Sequence, residues 1–137
     1  MTLYRPTIAE IDLDAISFNY RQLRKKVENE TKILAVVKAD GYGHGAAFIS
    51  KQLERLGVEL LGVAICEEGI ALRKAGIEIP IIILNGIFKG QIKDTVRYDL
   101  TPVIFDLDTA QKVSTEGKRT KKKVKVHVKI DTGMGRV

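Results

Sequence analysis

Apolar and polar residues follow two patterns that alternate along this 137-residue chain. Short, nearly continuous apolar runs are separated by stretches in which apolar residues recur every three or four positions. The runs are typical of strands buried on both faces, and the longer spacing is typical of amphipathic helices. The predicted strands span residues 7–13, 33–39, 60–65, 79–84, 101–105 and 124–130, and the predicted helices span 46–56, 67–75, 90–98 and 107–115.

A further helix is predicted to follow the first strand. Asp14 is a suitable N-cap for it, because its carboxylate can accept hydrogen bonds from the free N–H groups of the first turn. The apolar residues at helical spacing behind it are Ile16, Tyr20, Leu23 and Val27. Two later helices are predicted to stop at Gly57 and Gly76, since glycine readily adopts the left-handed conformation that ends a helix.

The order of these elements predicts an α/β fold with a parallel sheet covered by helices. Two architectures fit the pattern: a doubly wound open sheet, and the amino-terminal portion of a (β/α)8 barrel. Both consist of right-handed strand–helix–strand units, so periodicity does not separate them. Length favours the open sheet, because a whole barrel needs about 250 residues. We see no Pro/Gly/Ser-rich linker and predict no internal domain boundary.

The composition is that of an ordinary globular protein, with 45% apolar and 29% charged residues. No apolar stretch approaches the roughly 20 residues of a membrane-spanning helix, so we expect no membrane partner. The segment Met1 to Pro6 lacks the features of a secretory signal. Cys66 stands alone, which excludes a disulfide framework and favours a reducing, cytoplasmic location.

The net charge of +6 is concentrated in Lys118-Arg119-Thr120-Lys121-Lys122-Lys123. Aromatic residues that could stack on bases do not interleave with this run, and no zinc or RNA-binding motif accompanies it. We therefore predict a solvated connection leading into the last strand, and no nucleic-acid partner or metal site.

Candidate chemistry begins where the second predicted strand ends, in Lys38-Ala39-Asp40-Gly41-Tyr42-Gly43-His44-Gly45. Ligands bind at the carboxyl ends of strands in parallel α/β folds. A lysine leaving an apolar strand there can have its ammonium desolvated and its amine freed as a nucleophile. The Tyr42 hydroxyl could reach a phosphate oxygen, and Gly43 and Gly45 permit close backbone approach.

A second candidate segment follows the last predicted strand, in Lys129-Ile130-Asp131-Thr132-Gly133-Met134-Gly135-Arg136. Asp-Thr-Gly occurs in aspartic proteases, but those are all-β and use the motif twice. The glycines do not match the G-x-x-x-x-G-K-[ST] phosphate loop either.

Together, the two segments resemble the signatures of alanine racemases, and smaller matches such as Glu67-Glu68-Gly69 extend the resemblance over the chain. The lysine matching Lys38 binds pyridoxal 5′-phosphate (PLP) covalently and acts as a catalytic base. The arginine matching Arg136 contacts the cofactor and the substrate carboxylate, and the lysine matching Lys129 is carbamylated in several members. His44 belongs to the signature without a catalytic role. Asp40-Gly41 stands where many members have Asn-Ala.

The resemblance implies a PLP-dependent isomerase that interconverts L- and D-alanine for peptidoglycan, working as a homodimer. Its opposing base is a tyrosine from the carboxyl-terminal β domain of the partner subunit. Residues 1–137 would correspond to an incomplete amino-terminal barrel domain without that β domain, so we expect weak PLP binding and poor racemisation by this chain alone. The alternatives are a racemase of another small amino acid such as serine, a non-catalytic PLP-binding barrel protein, and a five-stranded nucleotide- or partner-binding domain.

Overall fold

A computed structural model of the chain describes residues 7–136, in which helices and parallel strands alternate. The strands are β1 (Leu34–Val36), β2 (Leu60–Val63), β3 (Ile81–Ile83), β4 (Thr101–Ile104) and β5 (His127–Val128). The helical segments are α1 (Leu13–Arg24), α2 (Lys38–Tyr42), α3 (Ala46–Arg55), α4 (Cys66–Lys74), α5 (Ile92–Arg97) and α6 (Leu107–Thr120), with a 3-10 turn over Lys89–Gln91. Of the helices in this part of the chain, none is long and apolar enough to cross a membrane.

The strand order decides between the two architectures. The sheet runs β1-β2-β3-β4-β5 in chain order, and every neighbouring pair is parallel. In a doubly wound sheet the order reverses near the middle, because the chain crosses to the other side of its first strand. In a (β/α)8 barrel each strand is added beside the previous one. The predicted amino-terminal portion of a barrel is therefore confirmed, and the open doubly wound sheet is excluded.

The main core lies between the sheet and the helices. Alternate strand residues point into it, because successive side chains of a strand project to opposite faces. Leu61, Val63, Ile81 and Ile83 are completely buried there. The opposite face of the sheet is more open at β1, where Val36 keeps 37% of its surface exposed. This face corresponds to the interior of the barrel.

The beginning of the chain differs from its prediction. Residues 7–12 form no strand, and Ile8 and Ile11 are exposed. Asp12, rather than Asp14, is the N-cap of α1, and its Oδ1 accepts hydrogen bonds from the Asp14 and Ala15 backbone N–H groups. An alternating apolar pattern forms a strand only beside a strand that pairs with it, and within residues 7–136 no strand pairs with residues 7–12.

The other elements are confirmed with shifted ends. Gly57 and Gly76 follow α3 and α4 with φ of 86° each, as predicted. Most strands are shorter than their apolar runs, and the predicted strand 124–130 pairs only at His127–Val128. Beyond the paired segments, Ile33 and Ile79 still pack against the main core, whereas Ile65 and Ile130 are exposed.

The basic run is only partly a solvated connection. Helix α6 extends to Thr120, so the run begins inside its last turn, where positive charge is favourable beside the free carbonyl groups. Lys122 then reaches across to α5, and its Nζ donates to the Val96 carbonyl oxygen at 3.1 Å. The prediction of a wholly solvated segment is wrong because Lys122 caps a neighbouring helix.

Arg73 joins consecutive units at the amino-terminal edge of the sheet. Its guanidinium donates to the carbonyl oxygens of Ile77 (2.8 Å), Ile79 (2.7 Å), Tyr98 (3.1 Å) and Asp99 (3.0 Å). Burial lowers the pKa of Arg73 from its ordinary value, because desolvation penalises the charged form. One side chain thereby connects the segment before β3 with the segment before β4.

Candidate active site

The first candidate segment begins directly after the last hydrogen bond between β1 and β2. Val37 N–H donates to the Gly62 carbonyl oxygen at 2.8 Å, and the chain then leaves the ladder. Lys38 is the first residue of α2 and is half-buried at the carboxyl edge of the sheet. The prediction of a strand continuing to Ala39 is wrong, because residues 39–42 turn away with positive φ.

α2 is a left-handed helical turn. Ala39, Asp40, Gly41 and Tyr42 have φ of 50°, 52°, 64° and 54°. Gly41 N–H donates to Val37 O at 2.9 Å, and Gly43 N–H donates to Ala39 O at 3.0 Å. This conformation costs about 1–2 kcal/mol for each residue with a Cβ, so surrounding contacts must hold it.

The turn brings two predicted site residues together. Lys38 Nζ lies 5.9 Å from the centre of the Tyr42 ring, within the range of a cation–π contact. Tyr42 keeps 59% of its surface exposed. Among residues 7–136, the cations of the ion pairs are Arg24, Lys89, Lys112 and Arg119, and not Lys38. The amine is therefore held near a phenol and is not neutralised by a carboxylate.

His44 stabilises the end of the turn. Its Nδ1 lies 3.1 Å from the Gly41 carbonyl oxygen and 3.0 Å from that of Tyr42, so this nitrogen carries the proton and donates. This contact gives the imidazole a structural use next to Lys38.

Two carboxylates, one from the turn itself and one from α4, anchor the turn to neighbouring elements. Asp40 Oδ1 accepts from Ala46 N–H at 2.8 Å, which fastens the turn to the start of α3. Glu68, in the first turn of α4, accepts from Ala39 N–H at 2.7 Å through Oε1. The sequence indicates only a capping role for Glu68, because its position near the start of a helix predicts local contacts and does not indicate the contact with Ala39.

The second candidate segment is organised by Asp131. Its Oδ1 accepts from Gly133 N–H at 2.9 Å and its Oδ2 accepts from Gly135 N–H at 2.8 Å. These contacts, chiefly the one from Gly133, lower the pKa of Asp131 below its ordinary value. The aspartate of Asp-Thr-Gly is thus a loop anchor, and the loop leads directly to Arg136.

Lys129 and Arg136 lie at the far end of the sheet from Lys38. Lys129 is half-buried, and its backbone N–H donates to Ile104 O at 2.9 Å. Arg136 is exposed. All strands are parallel, so both segments lie at the same edge of the sheet, with β2, β3 and β4 between them.

A sequence model described as "Alanine racemase, N-terminal domain" matches residues 11–137. The chain belongs to this family. Alanine racemase 1 of Caldanaerobacter subterraneus subsp. tengcongensis is 44% identical over 97% of this chain and 34% of its own length. The chain therefore spans about a third of the curated relatives it matches.

Solved alanine racemases also share the fold. The enzyme of Clostridium difficile 630 in complex with cycloserine aligns with a TM-score of 0.95 and 41% identity, covering 99% of this chain and 37% of that one. The Bartonella henselae enzyme with covalently bound pyridoxal phosphate aligns with a TM-score of 0.83 and 32% identity, covering 92% of this chain and 37% of that one. Alanine racemases are PLP-dependent, and that neighbour carries PLP.

Proposed function

We propose that this protein interconverts L- and D-alanine, with PLP bound covalently to Lys38. The observation that carries the proposal is the pairing of Lys38 with Tyr42 on a left-handed turn at the carboxyl edge of the sheet, in a chain of the alanine racemase N-terminal domain family. An amine held apart from carboxylates remains available for covalent binding.

The residues at this edge are chemically suited to PLP. Lys38 offers a primary amine for the aldehyde carbon, and the Tyr42 hydroxyl offers a hydrogen bond to a phosphate oxygen. Tyr42 follows Lys38 by four residues within one turn, so both can contact the same small molecule. Arg136 offers a guanidinium for the phenolic oxygen and for the substrate carboxylate, a pairing that the planar donor fork favours.

When bound, PLP acts as an electron sink that makes the Cα proton of the amino acid acidic enough to remove. Lys38 Nζ then removes or returns this proton on one face of Cα. Tyr42 fixes the phosphate end, and Arg136 holds the carboxylate, so that the Cα–H bond stays directed at the amine. Inversion also requires a second proton-transfer group on the opposite face.

Lys129 is proposed to be carbamylated, in which case its new anion would orient Arg136. Its half-buried side chain and the proximity of the two residues along one loop support this assignment. A carbamate placed beside a guanidinium would fix the fork through charge-assisted hydrogen bonds. Mass analysis of the intact peptide under carbon dioxide, before acidification, would detect the modification.

We also propose that residues 1–137 supply the amino-terminal part of a barrel domain, and that the protein acts as a cytoplasmic homodimer. The match to roughly the first third of alanine racemases supports the first statement. The unpaired, buried Cys66 is compatible with a reducing compartment. Sedimentation of the purified protein with PLP would test the dimer.

Borohydride reduction after incubation with PLP tests the site. We expect a stable adduct on the peptide containing Lys38, and none on that peptide in Lys38→Ala. Lys32→Ala is the matched control, because Lys32 is an exposed lysine just before the amino-terminal end of β1, whereas Lys38 follows its carboxyl end. Failure to label Lys38 in the folded wild-type protein would exclude the PLP assignment.

Chiral analysis of alanine tests the reaction. We expect a protein that includes the carboxyl-terminal domain to convert L-alanine and D-alanine each towards an equal mixture, with a higher kcat/KM than for serine. Residues 1–137 alone should convert either one poorly, because the second proton-transfer group is expected from that domain. An adduct at Lys38 without inversion of either amino acid, in a protein that includes the carboxyl-terminal domain, would instead indicate a PLP-binding protein that is not a racemase. Preferential inversion of serine would reassign the substrate.

A further inference from the structure

The left-handed turn that carries Lys38 needs an external restraint. Four consecutive residues, 39–42, have positive φ, and three of them carry a Cβ. This conformation is unfavourable for such residues in isolation. Asp40 fastens the turn to α3, but that contact does not fix its position relative to the next strand of the sheet.

Glu68 supplies this second restraint. Its Oε1 accepts from Ala39 N–H at 2.7 Å, and its Oε2 accepts from Ala64 N–H at 2.8 Å and more weakly from Ile65 N–H at 3.4 Å. Ala39 N–H lies in the first turn of α2, where no preceding helical carbonyl is available. One carboxylate therefore joins the segment after β1 to the segment after β2.

The two carboxylate oxygens of Glu68 have different roles: one caps its own helix, and the other contacts the Lys38 turn. Oε2 performs the local task of a glutamate in the first turn of a helix, which is to satisfy free N–H groups at the start of α4. Oε1 is directed away from its own helix, to the residue that follows Lys38. A cap alone would not require this contact.

We propose that Glu68 is a positioning residue, which holds the Lys38 turn against β2 so that the amine is presented to PLP. The proposal rests on the proposed function of Lys38. Its physical basis is that a charge-assisted hydrogen bond to Ala39 N–H fixes the peptide unit between Ala39 and Lys38. Glu68 touches neither the cofactor nor the substrate in this role.

Three variants separate this role from helix capping and from charge. In Glu68→Gln one carboxylate oxygen becomes an NH₂ donor, so the side chain cannot accept from both segments. In Glu68→Asp the charge and the local cap remain, but the shorter side chain cannot span both contacts. Glu67→Gln is the matched control: Glu67 is exposed in the same helical turn and accepts from the Gln91 amide, which a glutamine at 67 can still do.

Two measurements are made on each variant: the hydrogen-exchange rate of the Ala39 amide without PLP, and the dissociation constant for the PLP adduct with Lys38. We expect both Glu68 variants to accelerate Ala39 exchange about tenfold or more and to weaken the adduct about tenfold, as loss of a charge-assisted hydrogen bond implies. Glu67→Gln should stay within about twofold of the wild type on the same scale.

Unchanged Ala39 exchange in both Glu68 variants would overturn the proposal, and so would an unchanged dissociation constant when exchange is faster. If Glu68→Gln destabilises the whole fold, the same two measurements on Glu68→Asp test the positioning role. A wild-type protein that forms no adduct would overturn the proposed function and, with it, this role for Glu68. A wild-type adduct with unaffected Glu68 variants would overturn the positioning role alone.

Discussion

Lys38 Nζ lies 5.9 Å from the centre of the Tyr42 ring, so the amine and the phenol occupy the same side of one left-handed turn. In an extended strand, residues four apart would be separated by about 13 Å along the chain. The turn is therefore what makes these two side chains neighbours. It also directs them to the edge where ligands bind in barrels.

Tyr42→Phe should weaken PLP binding while leaving the adduct on Lys38 possible. The ring and its contact with Lys38 are kept, and only the hydroxyl is lost. Removing one hydrogen bond to a charged phosphate should raise the PLP dissociation constant about tenfold. Titration of the adduct absorbance with PLP measures this.

Tyr98→Phe is the control for this change, because the Tyr98 ring also contacts a cation, Arg97, at 5.5 Å. It lies at the end of α5, away from the Lys38 turn, and should bind PLP like the wild type. Equal affinity in Tyr42→Phe and the wild type would remove Tyr42 from the cofactor site.

The loop before Arg136 should lose order in acid. The pKa of Asp131 is lowered from 3.8, mainly by the Gly133 N–H. A carboxyl with a lowered folded-state pKa stabilises the folded loop above its ordinary pKa, and this stabilisation disappears as pH falls through the lowered value. Between about pH 5 and pH 2, the amide signals of Gly133 and Gly135 should shift together in NMR spectra.

Asp131→Asn should abolish this titration, because an amide does not ionise in that range, and should leave one of the two glycine N–H groups without its acceptor. The amide signal of Gly57 serves as the internal reference for these shifts, because the Gly57 N–H donates to the backbone oxygen of Glu54 and not to a side chain. Persistence of the same transition in Asp131→Asn would assign it to another group.

Arg73→Met should destabilise the fold substantially. It removes the donor for four carbonyl oxygens at the amino-terminal edge, while keeping an apolar stem. Part of that edge remains accessible to water, so we expect a loss of about 2–4 kcal/mol in the free energy of unfolding. Urea denaturation measures it.

Lys74→Met is the matched substitution for Arg73→Met, because Lys74 is the exposed neighbour on the same helix. Its effect should stay within about 0.5 kcal/mol, as for most surface changes. Similar losses in both variants would show that the carbonyl contacts of Arg73 add nothing to stability.

Gly117→Ala should also destabilise the protein, although alanine is the better helix former. A Cβ at residue 117 would lie 2.9 Å from the Lys122 carbonyl oxygen and 3.2 Å from Val124 Cγ2. The overpacking should outweigh the gain in helix propensity of about 1 kcal/mol, for a net loss of about 1–2 kcal/mol.

Gly90→Ala provides the comparison, since a Cβ there meets nothing within 4 Å. It should be neutral or slightly stabilising in the same urea experiment. A stabilising effect of Gly117→Ala would mean that the segment after α6 moves away without cost, so that this close approach does not constrain β5.

The sequence predicted the elements more reliably than their ends. The helices at Ala46–Arg55 and Cys66–Lys74 follow from apolar spacing and from the glycines behind them, which are local signals. The predicted strand at residues 7–13 is wrong because a local pattern is not enough to form a strand. Its alternation is equally local, but a strand forms only where another strand pairs with it.

The candidate site shows the same division. The motifs indicate Lys38, Tyr42 and Arg136 as site residues, and the structure brings the first two together. For Glu68 the sequence indicates only capping, because its contact with Ala39 joins positions 29 residues apart in the chain. Contacts between residues so far apart leave no hydrophobic periodicity in the sequence from which they could be predicted.

The sequence by itself determined the alternation of strands and helices, the family, and the residue types available for chemistry. These properties depend on side-chain character at each position and on short-range spacing. The tertiary structure alone decided that the strands lie in sequential order, and that residues 39–42 form a left-handed turn held by Asp40 and Glu68. Both depend on hydrogen bonds between distant segments, which form only when the chain has folded around its core.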